Sequence, residues 1–594
     1  MSQSQMKTGE VTEKFDQSSS SEPEIGVVRS DDPKKSKNPL VRFNYFMEQL
    51  GGETKGIARI PEDERYDDSI WDTATMWIGA NTVIAAFALG MLGESTFHLN
   101  LRDSIATIIC FATLGAFAVA SLSTFGPPTG MRQMVLSRYW FGSVGSRICA
   151  FLNSLTCIGW SSVNTLAAVT ALRVVNYQNR PIPIWAGVFF MSMVSWVIAV
   201  FGYRIVHLYE RYAWIPNLIV FFTICICLGQ DHLMDWQPMG SGPVEAGSVL
   251  SFGSAVYGFA AGWGPYSSDY TCYKPKNTSR FKVFIYIWFF ASISCIGPMV
   301  IGAFAAQRAA VNPDYRDFME NNPGESTGGI LWKILVDDKL NGFGQFIIVI
   351  FSLSTIANNV PNLYTFSVSS QAVLPYFDKI PQYIWATIIT GASIGIGIGA
   401  YGSFEPYLSQ FMNVIAYWIS FYYGIVLAEH LFFRRSYDNY NIDAYNSFVR
   451  LPFGASAIFA GCCGCAGTAV GMSQPWWVGP IADLFGKPGL GGDLGFELSF
   501  SFAFTGLVLT RWIERWLLPD ESYVSGTDGA WWRLGFLNFK HLETPAWMEK
   551  HDTRYWWARK TGQAPPGEGG PAEGVYKHDI SNIKPHFSRA HEDA

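Results

Sequence analysis

Residues Tyr257–Tyr270 read YGFAAGWGPYSSDY. They lie inside a hydrophobic segment long enough to cross a bilayer, yet Gly258, Gly262, Gly264 and Pro265 interrupt it and Trp263 sits in the gap. Hydrocarbon offers no water to the backbone groups that a break frees, so a broken span is tolerated where it is buried in protein or lines a cavity. In transporters that cavity is often the substrate site. An indole at the break points to a flat ligand.

The rest of the chain fits a membrane protein. Of its 594 residues 49% are hydrophobic and 15% charged, against about 25% charged in soluble globular proteins. The charges crowd the two ends and a few connecting loops. Apolar runs of bilayer length centre near residues 84, 113, 160, 192, 220, 258, 294, 357, 391, 417, 462 and 505. The expected fold is therefore an all-α polytopic membrane protein with twelve transmembrane helices. The net charge of −6 implies no nucleic-acid partner. Nine of the ten cysteines, all but Cys272, fall in the apolar windows, so a disulfide framework is not expected. The Cys462-Cys463-Gly464-Cys465 cluster has no His or carboxylate beside it and reads as small-residue helix packing, not as a metal site. No cofactor motif or nucleophile–base pair stands out, so no enzyme is expected.

The N-terminus is polar and lacks an apolar leader, which keeps it in the cytosol. An even number of spans returns the C-terminus to the same side. The loops then assigned inside carry Arg132, Arg138, Arg147, Arg204, Arg211, Lys274, Lys276, Arg280, Lys282, Lys379, Arg434, Arg435 and Arg450. The short outer loops carry Arg102, Arg173, Arg180 and Lys487. This bias supports cytosolic termini, with 307–342 as one long outer loop. Three regions follow: a cytosolic tail over 1–71, a transporter domain over 72–518 and a second cytosolic tail over 519–594. Residues 1–40 read as disordered from composition, and 41–71 as an amphipathic stretch on the membrane or over the inner mouth. The second tail begins Trp-rich and ends Pro/Gly-rich.

Span order suggests a five-plus-five repeat in which spans one and six are equivalent, followed by two additional C-terminal helices. Span one, Trp77–Gly93, is loosened by Gly79, Gly90 and Gly93 and holds Asn81. Span three carries Trp160 and Asn164, four apart and so on one helix face. Span eight carries Asn358, Asn359 and Asn362. Its Pro361 lacks an N–H, and its ring disturbs the helical bond to the Ala357 carbonyl. Amides in mid-span face the protein interior. Two indoles, Trp160 and Trp263, can hold a planar heterocycle, at roughly 1–3 kcal/mol per stacked base. An amide offers donors and an acceptor at once and so pairs with the N–H/C=O edge of a nucleobase without a charge.

With these residues in hand, the chain resembles the fungal purine–cytosine permeases of the nucleobase cation symporter family. The match runs from about Met47 to Leu518. It includes GGETKGIARIPEDERYDDSIW before span one, FGPPTGMRQMVLSRYWFG after span two and GWSSVNTLAAV in span three. It continues with YGFAAGWGPYSSDYTCYKP, TIANNVPNLYTFS, and GMSQPWWVGPIADLFG with GDLGFELSFSFAF near the end. The resemblance implies twelve helices, ten of them in an inverted-repeat core, and proton-coupled nucleobase import at the plasma membrane. Trp160 and Asn164 match the family's span-three substrate residues, Trp263 its stacking Trp, and Asn358, Pro361 and Asn362 its span-eight elements. In span one, lined by Asn81, Ala85 and Ala86, the sequence departs from the family. Permeases of this type commonly carry a hydroxyl there, and its loss leaves the substrate range open. Some fungal members resemble pyridoxine carriers, so a same-fold carrier of pyridoxine or another small heterocycle is one alternative. A non-transporting nutrient sensor is another.

Sodium-coupled relatives place Ser/Thr oxygens on span eight, where this chain has Ile356 and Ala357 just before Asn358, with the nearby Ser354 and Thr355 read as pointing elsewhere. A proton is therefore the expected coupling ion. Of the carboxylates near span ends or outside the core, Glu94, Asp269, Glu429 and Glu497, the coupling candidates are Asp269 and Glu429.

Overall fold

The computed structural model describes residues 56–517 and Ser522, apart from 66, 68, 177, 201–202, 230–235, 322–324, 375, 378–379, 448–449 and 487–490. All of these belong to a unit that spans Leu50–Ala594. The tail readings over 1–55 and 523–594 lie outside the described residues.

The first half of the chain contains α1 (Ile70–Asn81), α2 (Ile84–Ser95), α3 (Leu101–Ser123), α4 (Gln133–Val174), α5 (Ile184–Val200), α6 (Tyr203–Gly229) and α7 (Pro243–Ala261). The second half contains α8 (Arg280–Val311), α9 (Gly342–Leu353), α10 (Thr355–Val373), α11 (Gln382–Ala400), α12 (Phe404–Ala428), α13 (Ala455–Gly471) and α14 (Gly495–Leu517). Every apolar window read from the sequence centres on one of these helices; α1 and α9 are leading halves of interrupted segments. By length and apolarity, five described helices or helix runs can cross a membrane, and the bent pair Thr73–Asn81 with Ile84–Ser95 makes a sixth. Helices α5 and α13 and residues Trp214–Gly229 of α6 are shorter apolar helices.

Local chemistry sets the ends of several elements. Asn100 caps α3, its side-chain oxygen accepting the Asp103 N–H at 3.0 Å, as an N-cap residue does. The GPPT turn at Gly126–Thr129 starts with two prolines and closes on Gly130 in the left-handed region. Helix α4 is a short helix joined to a long span at Gly142, whose φ of +70° permits the kink.

Span one is broken, but its glycines are not the cause. The axis turns by 53° between Asn81 and Ile84, where Val83 is extended with φ −135° and ψ 161°. Gly90 instead permits close helix packing. A Cβ there would sit 1.9 Å from the Met299 carbonyl oxygen, and one on Gly302 would sit 2.0 Å from that of Phe87. Helices α2 and α8 thus approach backbone to backbone at two glycines, as small residues allow in membranes. Gly302→Val is expected to destabilise the protein by at least the ~1–3 kcal/mol of ordinary overpacking. Size-exclusion fluorescence of a tagged chain, with its thermal midpoint, would check this.

Span six breaks where the sequence places the break. Helix α7 ends at Ala261, and a 3-10 turn follows over Gly264–Tyr270. The turn is tied down by Ser268 Oγ donating to the Leu122 carbonyl at 2.9 Å and Thr271 Oγ1 to that of Ser123 at 2.7 Å. In span eight α10 runs unbroken through Pro361, and the interruption lies earlier, at Ser354. Pro361 supplies no N–H, but its neighbours hold the helix in register.

The stretch 307–342 is not an irregular loop. It forms helices at Pro313–Asn321 and Glu325–Trp332 and a wide turn over Lys333–Leu340. The start signal is Asn312-Pro313-Asp314, with Asn312 Oδ1 accepting the Asp314 N–H at 2.9 Å. At the C-terminal end, α13 and α14 meet through small residues. A Cβ on Gly467 would come within 2.4 Å of the Leu498 carbonyl oxygen, and one on Gly506 within 3.3 Å of Cys463 Sγ. Within the Cys cluster the contact is made by Cys463 and Gly464, while Cys462 and Cys465 are exposed, and all ten cysteines are free thiols.

Candidate functional site

The site grows from the two breaks. In an unbroken helix the Ala80 carbonyl would accept the Ile84 N–H, but the extended Val83 carries the chain away. Asn358 Nδ2 of α10 takes that place and donates to the Ala80 carbonyl at 2.6 Å. Its Oδ1 accepts from Asn164 Nδ2 at 2.7 Å and from Asn362 Nδ2 at 3.2 Å. Asn362 Oδ1 in turn accepts from the Tyr266 hydroxyl at 3.3 Å. One chain of amides therefore joins spans one, three, six and eight.

The second link runs directly between the breaks. Trp263 Nε1 donates to Asn81 Oδ1 at 2.9 Å. Asn81 Nδ2 donates to the Trp77 carbonyl and to Ser294 Oγ, both at 3.1 Å. The Trp263 ring meets Trp77 edge-on at 5.4 Å and Tyr266 at 5.3 Å. Trp160 lies over the span-six break: a Cβ on Gly262 would come within 2.9 Å of its Cζ2. Its indole packs edge-on against Phe259 and Phe411.

Trp160, Asn164, Trp263, Asn358, Pro361 and Asn362 are all buried. Among the described residues, Trp160 Nε1 and Asn164 Oδ1 make no hydrogen bond. Buried polar atoms are rarely left unpaired. Here a donor and an acceptor remain open one helical turn apart, beside the aromatic break. A planar ligand with an adjacent acceptor and donor would satisfy both.

Ala85 and Ala86 are fully buried in the first turn of α2, just past the span-one break. The two carboxylates proposed for coupling have structural partners. Asp269 Oδ1 accepts the Gln133 N–H at 2.7 Å and so caps the start of α4. Glu429 lies between α12 and α14, paired with Arg511 at 2.9 Å and Arg434 at 3.3 Å. On span eight, the Thr355 hydroxyl donates to the Ser352 carbonyl at 2.9 Å. The Ser354 hydroxyl makes no hydrogen bond among the described residues. Tyr266, Ser294 and Trp77 join the site without having been singled out in the sequence. Tyr266 was within reach, since it lies in the broken stretch itself.

Residues 56–65, with Asp67 and Ser69, are tied to the turn after span two and to the segment after span six. The Ile60 N–H donates to the Gly130 carbonyl at 2.8 Å, Arg65 Nη1 to that of Pro127 at 2.8 Å, and Arg132 Nε to that of Gly56 at 2.8 Å. Lys274 Nζ binds Asp67 and the Ser69 carbonyl, both at 2.9 Å. This strap joins the turn after span two to the segment after span six.

Two interrupted spans, joined through buried amides and an indole within a set of bilayer-length apolar helices, define a multi-pass membrane transporter. Residues 59–479 match the family described as "Permease for cytosine/purines, uracil, thiamine, allantoin", and the chain belongs to that family. It is 43% identical over 472 residues to the purine-cytosine permease FCY21 of Saccharomyces cerevisiae, covering 80% of this chain and 88% of that one. It is 39% identical over 481 residues to the purine-cytosine permease fcyB of Emericella nidulans, covering 80% and 92%. Among solved structures it shares its fold with Mhp1, a nucleobase-cation-symport-1 family transporter, in a closed conformation with bromovinylhydantoin bound. The TM-score is 0.58 at 15% identity, over 78% of this chain and 96% of that one.

Proposed function

We propose that the protein imports purine bases and cytosine across the plasma membrane by proton symport with alternating access. The observation that carries this reading is the open donor–acceptor pair of Trp160 Nε1 and Asn164 Oδ1 beside the span-six break. It fits the edge of a nucleobase, with Trp160 and Trp263 as the aromatic faces and Asn358 and Asn362 holding the amide in place. Names of the curated relatives point the same way: FCY21 and fcyB are purine-cytosine permeases. Twelve helices with both termini in the cytosol, ten of them an inverted five-plus-five core, fit the helix order. In this arrangement spans one and six rock against spans three and eight, and the strap over 56–69 opens as they do.

Radiolabelled uptake in cells lacking their own permeases tests the substrate. Adenine and cytosine should compete with each other, and unlabelled pyridoxine should not. Strong pyridoxine competition would move the assignment to another heterocycle. For coupling, uptake should fall as external pH rises and should collapse with a protonophore. Uptake that tracks sodium at fixed pH would overturn the proton assignment. The absence of side-chain oxygens on Ile356 and Ala357 supports the proton reading.

A further inference from the structure

A cavity of about 330 Å³, lined by none of the amide-site residues, lies where α3 ends, α8 begins and α12 ends. Phe281, Phe284, Tyr423 and Leu431 form much of its wall, with His430 and Arg280 beside them. The hydroxyls in the wall are already engaged. Thr124 Oγ1 and the Tyr437 hydroxyl share a hydrogen bond at 2.7 Å, and the Tyr423 hydroxyl donates to Ser121 Oγ at 3.1 Å. The lining therefore presents carbon to an occupant. Phe281 is 73% exposed and Leu431 54%, so the apolar wall continues onto the apolar outer face of the helices.

Arg280 supplies the charge. Its guanidinium stands 4.7 Å from the Tyr437 ring centroid and 3.8 Å from the exposed Asp438 carboxylate. Among the described residues it makes no hydrogen bond, although a guanidinium carries five N–H donors. The groups facing the mouth are thus Arg280, Asp438 and His430, whose Nδ1 lies 3.2 Å from the Tyr440 hydroxyl.

We propose that this cavity binds an anionic phospholipid: one acyl chain lies against Phe284 and Leu431, and the phosphate meets Arg280 at the rim. An apolar slot that continues onto the outer face of the helices selects a chain, and a guanidinium at its rim, held by a loose 3.8 Å ion pair and by no hydrogen bond among the described residues, selects a phosphate. In the orientation proposed above this is the cytosolic end, where anionic lipids concentrate. The proposal is separate from the substrate assignment, and binding to purified protein tests it whatever the orientation.

The test uses the full chain in nanodiscs of phosphatidylcholine mixed with phosphatidylserine. Lipids retained after mild delipidation are counted by native mass spectrometry. Phosphatidylserine should be retained in preference, and Arg280→Gln should reduce that preference about fivefold. Leu431→Trp, which fills the slot, should lower retention of both lipids while Arg280 is intact. Equal retention of the two lipids, or an unchanged preference in Arg280→Gln, would overturn the proposal. So would full competition by glycerophosphoserine, which would show that the site takes a small anion and no chain.

Discussion

Asn358→Ala is expected to abolish uptake and to destabilise the protein as well. Asn358 is where the broken backbone of span one is satisfied, through 2.6 Å to the Ala80 carbonyl. It is also the acceptor that holds Asn164 and Asn362. Removing it leaves the Ala80 carbonyl and the Asn164 amide donor buried and unpaired, while Asn362 Nδ2 keeps its 2.8 Å bond to the backbone carbonyl of residue 358. Each orphaned group costs about 1–3 kcal/mol, so about 2–4 kcal/mol of stability should be lost once relaxation is allowed for. Asn358→Asp separates the two roles. A carboxylate can accept from Asn164 and Asn362 but cannot donate to Ala80, so it should still lose uptake. Asn362→Ala removes a donor and the acceptor for Tyr266 and leaves the span-one bond intact. It should lose affinity and keep normal surface expression. Thermal midpoints of the purified variants, with uptake normalised to surface protein, would separate these outcomes. Uptake within about threefold of the parent in Asn358→Ala, a change worth under ~1 kcal/mol, would remove the amide chain from the mechanism.

The two breaks were unequally legible. YGFAAGWGPYSSDY announces its own break, because Gly262, Gly264 and Pro265 act locally and α7 stops at Ala261. Span one announces nothing comparable. Its glycines suggest looseness, yet Gly90 serves contact with α8 and the turn falls at Thr82–Val83, residues with no helix-breaking chemistry. That break is stabilised from outside, by an amide some 280 positions away in sequence (|i−j| of 278), and a single sequence does not show such a pairing. The same reason explains Pro361: a proline lowers helix propensity, but packing in span eight overrides it. Candidate residues fared better where spacing alone placed them on one face. Trp160 reaches the span-six break at Gly262, and Asn164 reaches Asn358, the amide that satisfies the span-one break. The partners Ser294 and Trp77 have no spacing signal, because they depend on how spans one and seven cross.

Trp263 offers the second large effect, and it can be divided. The indole presents a ring and, through Nε1, a bond across the breaks to Asn81 at 2.9 Å. Trp263→Phe keeps an aromatic face and loses the bond; Trp263→Ala loses both. Stacking is worth roughly 1–3 kcal/mol per base, so the Ala variant should bind substrate about 5- to 150-fold more weakly. The Phe variant should keep much of that affinity but leave Asn81 Oδ1 unpaired between the two breaks, which costs about 1–3 kcal/mol of stability. Asn81→Ala removes the same bond from the other side. In an Asn81→Ala background, Trp263→Phe should therefore cost little further stability, while Trp263→Ala should still lose affinity. The cycle isolates the pair because each single change removes that hydrogen bond. If Trp263→Ala bound nucleobase as well as the parent, the indole would serve only to lock spans one and six together. The aromatic contact with substrate would then fall to Trp160, which already lies on the same break from span three.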